Sequence, residues 1–476
     1  MVIRNELEGG TGAMLDAGTG VMLARELMLA AAAGILVVGI DDLAVDMLYW
    51  SRRIWRRLTV YRRFQRMTLR TLPDARAPGA FAMLVPAWQE ADVIGAMLRQ
   101  ALSALRHPGD RIFVGVYIND PDTRDAVAAV GDARVIAVAH PRAGPTTKAD
   151  CLNGLWQALT DWEARHGQSF KGIVLHDAED VVHSAELRLF DRMIERFALV
   201  QLPVLPLVDR SSMWIAGHYL DEFAEAHAKD LVVREAMGAA VPSAGVGCAI
   251  ERGMMARIAA LKGGAPFDAE ALTEDYELGL RVGWLGGRGV LVRMASDAGR
   301  PIATYEHFPA TLRAAVRQKS RWLIGIALAG WDRMGWQGGL AERWWRMRDR
   351  KAVLAALITL VAYLAALATG AVMLVALVRP DAVPHPIVPD GSLLALLLPI
   401  NAALLVWRLA MRAIFTTRAH GPMQGLLSIP RAVVANVVAI LACFRALALF
   451  MAGWRRGEAL RWEKTTHAFP KQLPAE

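Results

Sequence analysis

GIVLHDAEDVV, residues 172–182, is an apolar run that carries three carboxylates, Asp177, Glu179 and Asp180, within four positions. Like charges at that spacing repel, and burial makes ionisation more costly still. A short apolar run bounded by polar residues reads as a buried strand, with the acids at its carboxyl end. Three similar runs precede it: FAMLVPAW (81–88), RIFVGVYIND (111–120) and RVIAVAH (134–140). Between them, DVIGAMLRQALSAL (92–105) and TTKADCLNGLWQALTDW (146–162) repeat apolar residues every three or four positions, as helices do. Strands alternating with helices predict an α/β domain, a mostly parallel sheet with helices on both faces. Ligands of such sheets sit beyond the carboxyl ends of the strands. Gln89 and Glu90, Asn119 and Asp120, and His176 to Asp180 all fall there. Taken alone, the acids at 177–180 admit two readings. They hold a hard divalent cation such as Mg²⁺ or Mn²⁺, which prefers oxygen ligands, or they cap the next helix.

The chain has 476 residues, 54% hydrophobic and 21% charged, with a net charge of +8 and a mean hydropathy of +0.28. That balance predicts a soluble domain joined to a few membrane spans. The three cysteines are far apart, so neither a disulfide framework nor a CxxC metal pair is available. Residues 1–20 are Gly-rich and read as a flexible tail, and residues 21–50 as a first transmembrane helix. That helix is flawed by Asp41, Asp42 and Asp46, which must face other helices or the interface. Residues 51–78 open with eight arginines and no acid up to Arg70. No nucleic-acid recognition motif accompanies them, so they read as a basic cytoplasmic juxtamembrane segment.

Residues 79–350 form the α/β domain, inserted between transmembrane helices. Spans are expected at 351–378 and 392–414, joined by a periplasmic loop at 379–391, with basic clusters at the ends facing the domain. Residues 415–476 read as an amphipathic helix on the cytoplasmic surface followed by a basic tail, with a fourth crossing at 424–451 as the alternative. Trp344 and Trp345 suggest an interfacial aromatic belt. The charged stretch HYLDEFAEAHAKDLVVREAMG (218–238) reads as a solvated amphipathic helix, and SAGVGCAIERG (243–253) as a Gly-containing loop.

Two further elements complete the pattern. TEDYELGLRVGWLG (273–286) opens a helix with acids in its first turn, where the dipole favours them. In RQKSRWLIG (317–325), Gln318, Arg321 and Trp322 share one helix face. That face offers an amide, a guanidinium suited to diphosphate oxygens and an aromatic plate for a sugar ring.

The set of DxD-like acids, TED and QxxRW, following VPAxxE, resembles the processive family 2 glycosyltransferases, among them cellulose and hyaluronan synthases. VPAWQE, INDPDT, LHDAEDVV, TEDYELGLR and WEKTTHAFP are similar to the bacteriophage adsorption protein B type of inner-membrane glycosyltransferase. The resemblance implies a GT-A-type nucleotide-sugar-binding domain on the cytoplasmic side of the bacterial inner membrane. It implies donor-nucleotide contacts from Pro86, Glu90, Asp120, Lys148 and Asp177, and a Mg²⁺ or Mn²⁺ site at Asp177 and Glu179 with Asp180 beside them. Glu179 stands where the family motif has Asp. Asp275, with Glu274 beside it, would be the catalytic base, and Gln318, Arg321 and Trp322 would meet acceptor and diphosphate. The implied reaction is inverting transfer of a sugar from a nucleoside diphosphate, UDP above all, to a growing exopolysaccharide. A single transfer to a lipid carrier and a non-catalytic scaffold are the alternatives. The implied partners are the lipid bilayer and an outer-membrane or periplasmic export protein. No cyclic-dinucleotide domain is read in the chain, so a cyclic-di-GMP-linked regulator is expected on a separate chain.

Overall fold

The computed structural model describes residues 2–383, 386–456 and 469–470. Most of the WEKTTHAFP stretch and the rest of the tail lie outside the described residues. The central sheet has seven strands: β1 (Phe81–Pro86), β2 (Arg111–Tyr117), β3 (Val135–His140), β4 (Gly172–Leu175), β5 (Leu199–Gln201), β7 (Cys248–Glu251) and β8 (Gly289–Leu291). A two-stranded sheet pairs β6 (Val204–Pro206) with β9 (Thr304–Glu306). The order of the large sheet is β3-β2-β1-β4-β7-β5-β8, and β7 alone runs antiparallel to its neighbours.

Alternation along the strands separates two cores. Phe81, Met83 and Val85 of β1 face one side with Val93, Ile94 and Met97 of helix Ala91–Leu102. Ala82 and Leu84 face the other with Leu152, Leu155 and Leu159 of helix Lys148–His166. The chain leaves β1 toward β2 and β3 and then returns to place β4 on the far side of β1. The crevice beyond β1 and β4 is therefore the switch point at which such sheets bind ligands.

Among the described residues, four helices are long and apolar enough to cross a membrane: Gly18–Arg63, Ala352–Val378, Leu393–His420 and Pro422–Arg456. Residues 2–20, read as a tail, continue the first of these as helix. The aspartates of the first helix do not face lipid. Asp41 and Asp42 pair with Arg348 and Lys351, while Asp46 meets Lys229 at 2.6 Å and the Trp407 indole at 2.8 Å.

The charged stretch 218–238 is not solvated. It forms helix Gly217–Glu225, a π-turn at Ala226–Asp230 and helix Leu231–Ala236. His218, Asp221, Glu225, Lys229 and Arg234 within it are all buried. Its charges are neutralised by residues distant in sequence: Asp221 by Arg412 and Arg431, Glu225 by Arg408, and Arg234 by Asp349. Periodicity could not reveal such partners. Trp344 donates to Asp41, and Trp345 is buried beside Val45 and Phe415, so neither forms an exposed belt. Residues 248–251 of the expected loop are strand β7, followed directly by helix Arg252–Leu261.

The fourth long helix packs against the α/β domain, and its Asn436 meets the Tyr363 hydroxyl of the second long helix at 3.1 Å. Arg431 reaches Asp221 at 2.7 Å, Ser320 donates to the Ala442 carbonyl at 3.1 Å, and Ala446 packs with Leu272 and Ile324. Beyond it, Phe469 packs against the core of the large sheet.

Breaking a buried pair costs about 3–5 kcal/mol, because one charge is left without its counterion. Asp221→Ala, which strands the fully buried Arg431, should lower the thermal unfolding midpoint of the detergent-solubilised protein by several degrees. Asp221→Leu combined with Arg431→Met should restore most of the loss. An unchanged midpoint in Asp221→Ala would show that the pair does not anchor the helix.

Candidate functional site

Within the turn after β4, the carboxylates part company. Asp180 points into the core, where its Oδ2 accepts from the Asp177 amide at 2.9 Å and from His176 Nδ1 at 2.7 Å. The other ring nitrogen of His176 meets Glu186 Oε1 at 2.7 Å. Burial opposes a charge on the ring, but Glu186 and Asp180 push the imidazole up to about 10, so His176 is an imidazolium held between two carboxylates. With Asp180 committed inward, Asp177 and Glu179 are left to line a cavity of about 90 Å³.

That small cavity also receives Pro86, Trp88 and Glu90 from the end of β1, and Tyr117 from β2. Gln89 turns the chain there with φ +55°. A side-chain-bearing residue in this region costs about 1–2 kcal/mol. The Gln89 amide donates to Asp120 Oδ2 at 2.5 Å, which holds the turn. Asp120 also caps helix Pro121–Ala128 through the Thr123 amide and lines neither cavity.

A second cavity, of about 310 Å³, adjoins the first. Glu274, Asp275 and Trp322 line it, and Lys148, Asp177, Glu306, Gln318 and Arg321 line both. Lys148 stands at the first turn of its helix, capped by Thr147, and its ammonium lies 2.5 Å from Asp177 and 4.0 Å from Glu274. Burial works against that charge, but Asp177, Glu274 and Asp275 together push the ammonium up, so it stays protonated. Burial raises Asp275, and burial with the Asp275 charge pushes Glu274 up to about 7.

Helix Leu312–Leu323 carries Gln318, Arg321 and Trp322 to the junction. Gln318 Oε1 and Arg321 Nε are buried there without a hydrogen-bond partner among the described residues. Orphaned polar atoms facing a cavity are poised for a ligand. Trp322 is wedged against Tyr219 and Phe223, with ring centroids 6.1 and 6.2 Å away.

The structure thus brings together every predicted site residue except Asp120 and Asp180, which brace turns. It adds Trp88, Tyr117 and Glu306. Trp88 sits inside the VPAWQE motif and was legible as a planar side chain at a strand end. Glu306 closes the three-residue strand β9, which has no sequence signature. Burial and the charges of Asp180, Glu179 and Asp177 push it far up.

Residues 78–325 match the family described as "Glycosyltransferase like family 2". The chain belongs to glycosyltransferase family 2. This glycosyltransferase is 38% identical over 459 residues to "Bacteriophage adsorption protein B" of Escherichia coli K12, and equally to "Bacteriophage N4 adsorption protein B" of E. coli O157:H7. The matches cover 91% of the chain and 60% of each relative, so the chain spans about three fifths of the relatives' length. Among solved structures it is similar to a mannosyltransferase from Pyrobaculum calidifontis in complex with GDP-Man and Mn²⁺, at 16% identity and a TM-score of 0.47, covering 86% of this chain and 99% of that one. It is also similar to glucosyl-3-phosphoglycerate synthase from Mycobacterium tuberculosis in complex with Mn²⁺, UDP and phosphoglyceric acid. There the identity is 20% and the TM-score 0.31, covering 48% of this chain and 73% of that one.

Gly245 lets the glycosyltransferase bring a loop against Asp275. At φ +77° it tolerates a conformation that other residues resist, and a Cβ there would lie 2.6 Å from Asp275 Oδ2. Gly245→Ala should therefore displace the Asp275 carboxylate and reduce transfer on the order of 10²-fold. Far-ultraviolet circular dichroism should stay native. Full turnover in the variant would mean that the position of Asp275 is not critical.

Proposed function

We propose that the protein is an inverting polysaccharide synthase. It moves a sugar from a nucleoside diphosphate donor, UDP in the leading case, to the hydroxyl of a growing exopolysaccharide. The observation that carries this reading is the shared wall of the two cavities, where Lys148, Asp177, Gln318 and Arg321 meet. The donor nucleoside fits the smaller cavity, between Trp88, Glu90 and Tyr117. Its diphosphate reaches the junction, where Lys148 and the free Arg321 Nε meet the charge that grows on the leaving group. The sugar and the acceptor hydroxyl then occupy the larger cavity beside Asp275. Asp275 takes the hydroxyl proton as the oxygen attacks the anomeric carbon, and the diphosphate leaves from the opposite face. Trp322 supplies the apolar plate beneath the acceptor ring.

Asp177, Glu179 and Glu306 line the small cavity with Lys148 and Arg321, and burial together with the charges of Asp180, Glu179 and Asp177 pushes Glu306 up. Oxygen donors with excess negative charge suit Mg²⁺ or Mn²⁺. Among the described residues no three His, Cys, Asp or Glu side chains already stand at ligand spacing, so Lys148 would have to yield its hold on Asp177. Asp177 and Glu179 are the residues that would hold such an ion, with Asp180 bracing the turn. When bound, the cation supplies further positive charge to the diphosphate.

The arginines at 51–70, and those flanking the second and third long helices, support a cytoplasmic catalytic domain at a bacterial inner membrane. The contacts of the fourth long helix with the catalytic domain support its lying along the cytoplasmic surface. An export partner in the outer membrane or periplasm and a cyclic-di-GMP-linked regulator complete the reading.

The deciding experiment is incorporation of labelled sugars in membrane vesicles, from a panel of nucleotide-sugar donors with Mg²⁺ or Mn²⁺. Long products are expected. Products one sugar long would favour transfer to a lipid carrier, and no incorporation from any donor would favour the scaffold. Asp275→Asn should abolish transfer but leave nucleotide binding intact, as read by calorimetry. Because burial raises the Asp275 carboxyl above its ordinary value, wild-type transfer should climb with pH over a range above the usual carboxyl range of about 4, as the base loses its proton. A rate already level from about pH 5 upward, as an ordinary carboxyl of about 4 would give, would remove Asp275 from that role. Asp177→Ala should erase any gain in nucleotide affinity produced by Mn²⁺.

A further inference from the structure

Phe223 and His227 stack with ring centroids 5.4 Å apart and form one wall of the larger catalytic cavity. The same two residues form a wall of another cavity, of about 250 Å³, which sugar transfer leaves unused. Its floor is apolar, with Tyr49, Leu205 and Phe415 all buried. Its rim carries three exposed arginines from separate parts of the chain: Arg53 of the first long helix, Arg293 after β8, and Arg418 at the end of the third long helix.

These three differ from the cations that tie the long helices to the α/β domain. Arg348, Arg408, Arg412 and Arg431 all meet carboxylates. Arg53 donates to the Tyr49 hydroxyl at 3.3 Å and lies over the Trp50 ring at 5.8 Å, and Arg293 donates to the Ala228 carbonyl at 3.1 Å. Arg418 lies over the Trp50 and Phe415 rings at 5.4 and 5.7 Å. Among the described residues no carboxylate stands within 4.0 Å of any of them. Three guanidinium groups thus converge on one opening without counterions. Ile54, Trp55, Phe64 and Met67 are exposed beside the arginines of the same basic segment. Apolar and cationic side chains mixed in this way suit the boundary between headgroups and acyl chains.

We propose that this cavity binds the phosphodiester headgroup of an anionic glycerophospholipid. The arginine forks take the phosphate oxygens, and the apolar floor takes the glycerol and the first methylenes. The opening lies where the first and third long helices leave their apolar stretches, so a lipid reaches it from the bilayer without crossing open water. An occupant would support the Phe223–His227 wall from behind. The binding does not depend on the transfer reaction proposed above.

The test titrates the full chain, purified in a neutral detergent, with short-chain phosphatidylglycerol, with phosphatidylcholine of the same chains, and with inorganic phosphate. Binding is read by microscale thermophoresis. Phosphatidylglycerol should bind at least about ten-fold more tightly than phosphatidylcholine, whose own ammonium offsets the phosphate charge and is repelled by the three guanidinium groups. Arg293→Gln with Arg418→Gln should lose that preference, while Arg62→Gln with Arg63→Gln, equal in charge but outside the cavity, should keep it. Equal affinity for the two lipids, or equal loss in both double variants, overturns the proposal. So does inorganic phosphate binding as tightly as the lipid, which would make the free anion the ligand. Should the cavity variant fail to fold, a headgroup-photoreactive phosphatidylglycerol on the wild-type chain decides the matter. Crosslinks at 49–53, 293–301 or 415–419 support the site, and crosslinks confined elsewhere refute it.

Discussion

Lys229 lies buried where the catalytic domain meets the long helices, with Asp46 at 2.6 Å on one side and Glu225 at 2.5 Å on the other. Glu225 passes the charge on to Arg408 at 2.6 Å. One helical turn from Asp46, Asp42 lies 3.0 Å from Arg348 and 2.7 Å from Lys351, and both cations also engage Asp41. None of these charges could stand alone in its surroundings, because an isolated ion away from water is too costly. Each is tolerable only while the others are in place. The network therefore sets how the first and third long helices sit against the catalytic domain. The π-turn at Ala226–Asp230 belongs to this arrangement, since both His227 and Lys229 are buried within it.

The same constraint operates at the catalytic end with the opposite result. Beneath the site, His176 is held between Asp180 and Glu186 and pairs with both. Above it, Asp177, Glu179, Glu274, Asp275 and Glu306 gather around two cations, Lys148 and Arg321. Burial pushes Glu274, Asp275 and Glu306 upward, as expected when carboxylates outnumber their counterions. A protein gains no stability from such an imbalance. It fits a site whose missing charges arrive with the substrate, and the orphaned atoms of Gln318 and Arg321 point the same way.

β1 to β4 were readable because each is an apolar run next to a helix of clear period. The five strands that follow have only three or four residues each, too short for any period to show. The antiparallel β7 hides behind three glycines in an apparent loop, and its place between β4 and β5 depends on pairings with residues far away in the chain. In the stretch 218–238, charge density pointed to solvent. The reverse holds because Asp221 and Glu225 find arginines nearly two hundred positions downstream.

Residue type and order alone determined the mostly parallel α/β domain between apolar helices, and the acids, amide, guanidinium and indole that its site employs. These follow from local rules, from period, run length and the chemistry of each side chain. Only the folded chain decided which carboxylate of the 177–180 turn faces the cavity and which is spent on His176. It alone brought Glu306 and Gly245 into the site, and it alone buried the charges of 218–238. Those outcomes rest on Coulomb pairing and desolvation between groups distant in sequence, and the strength of such terms depends on separations and burial that exist only after folding.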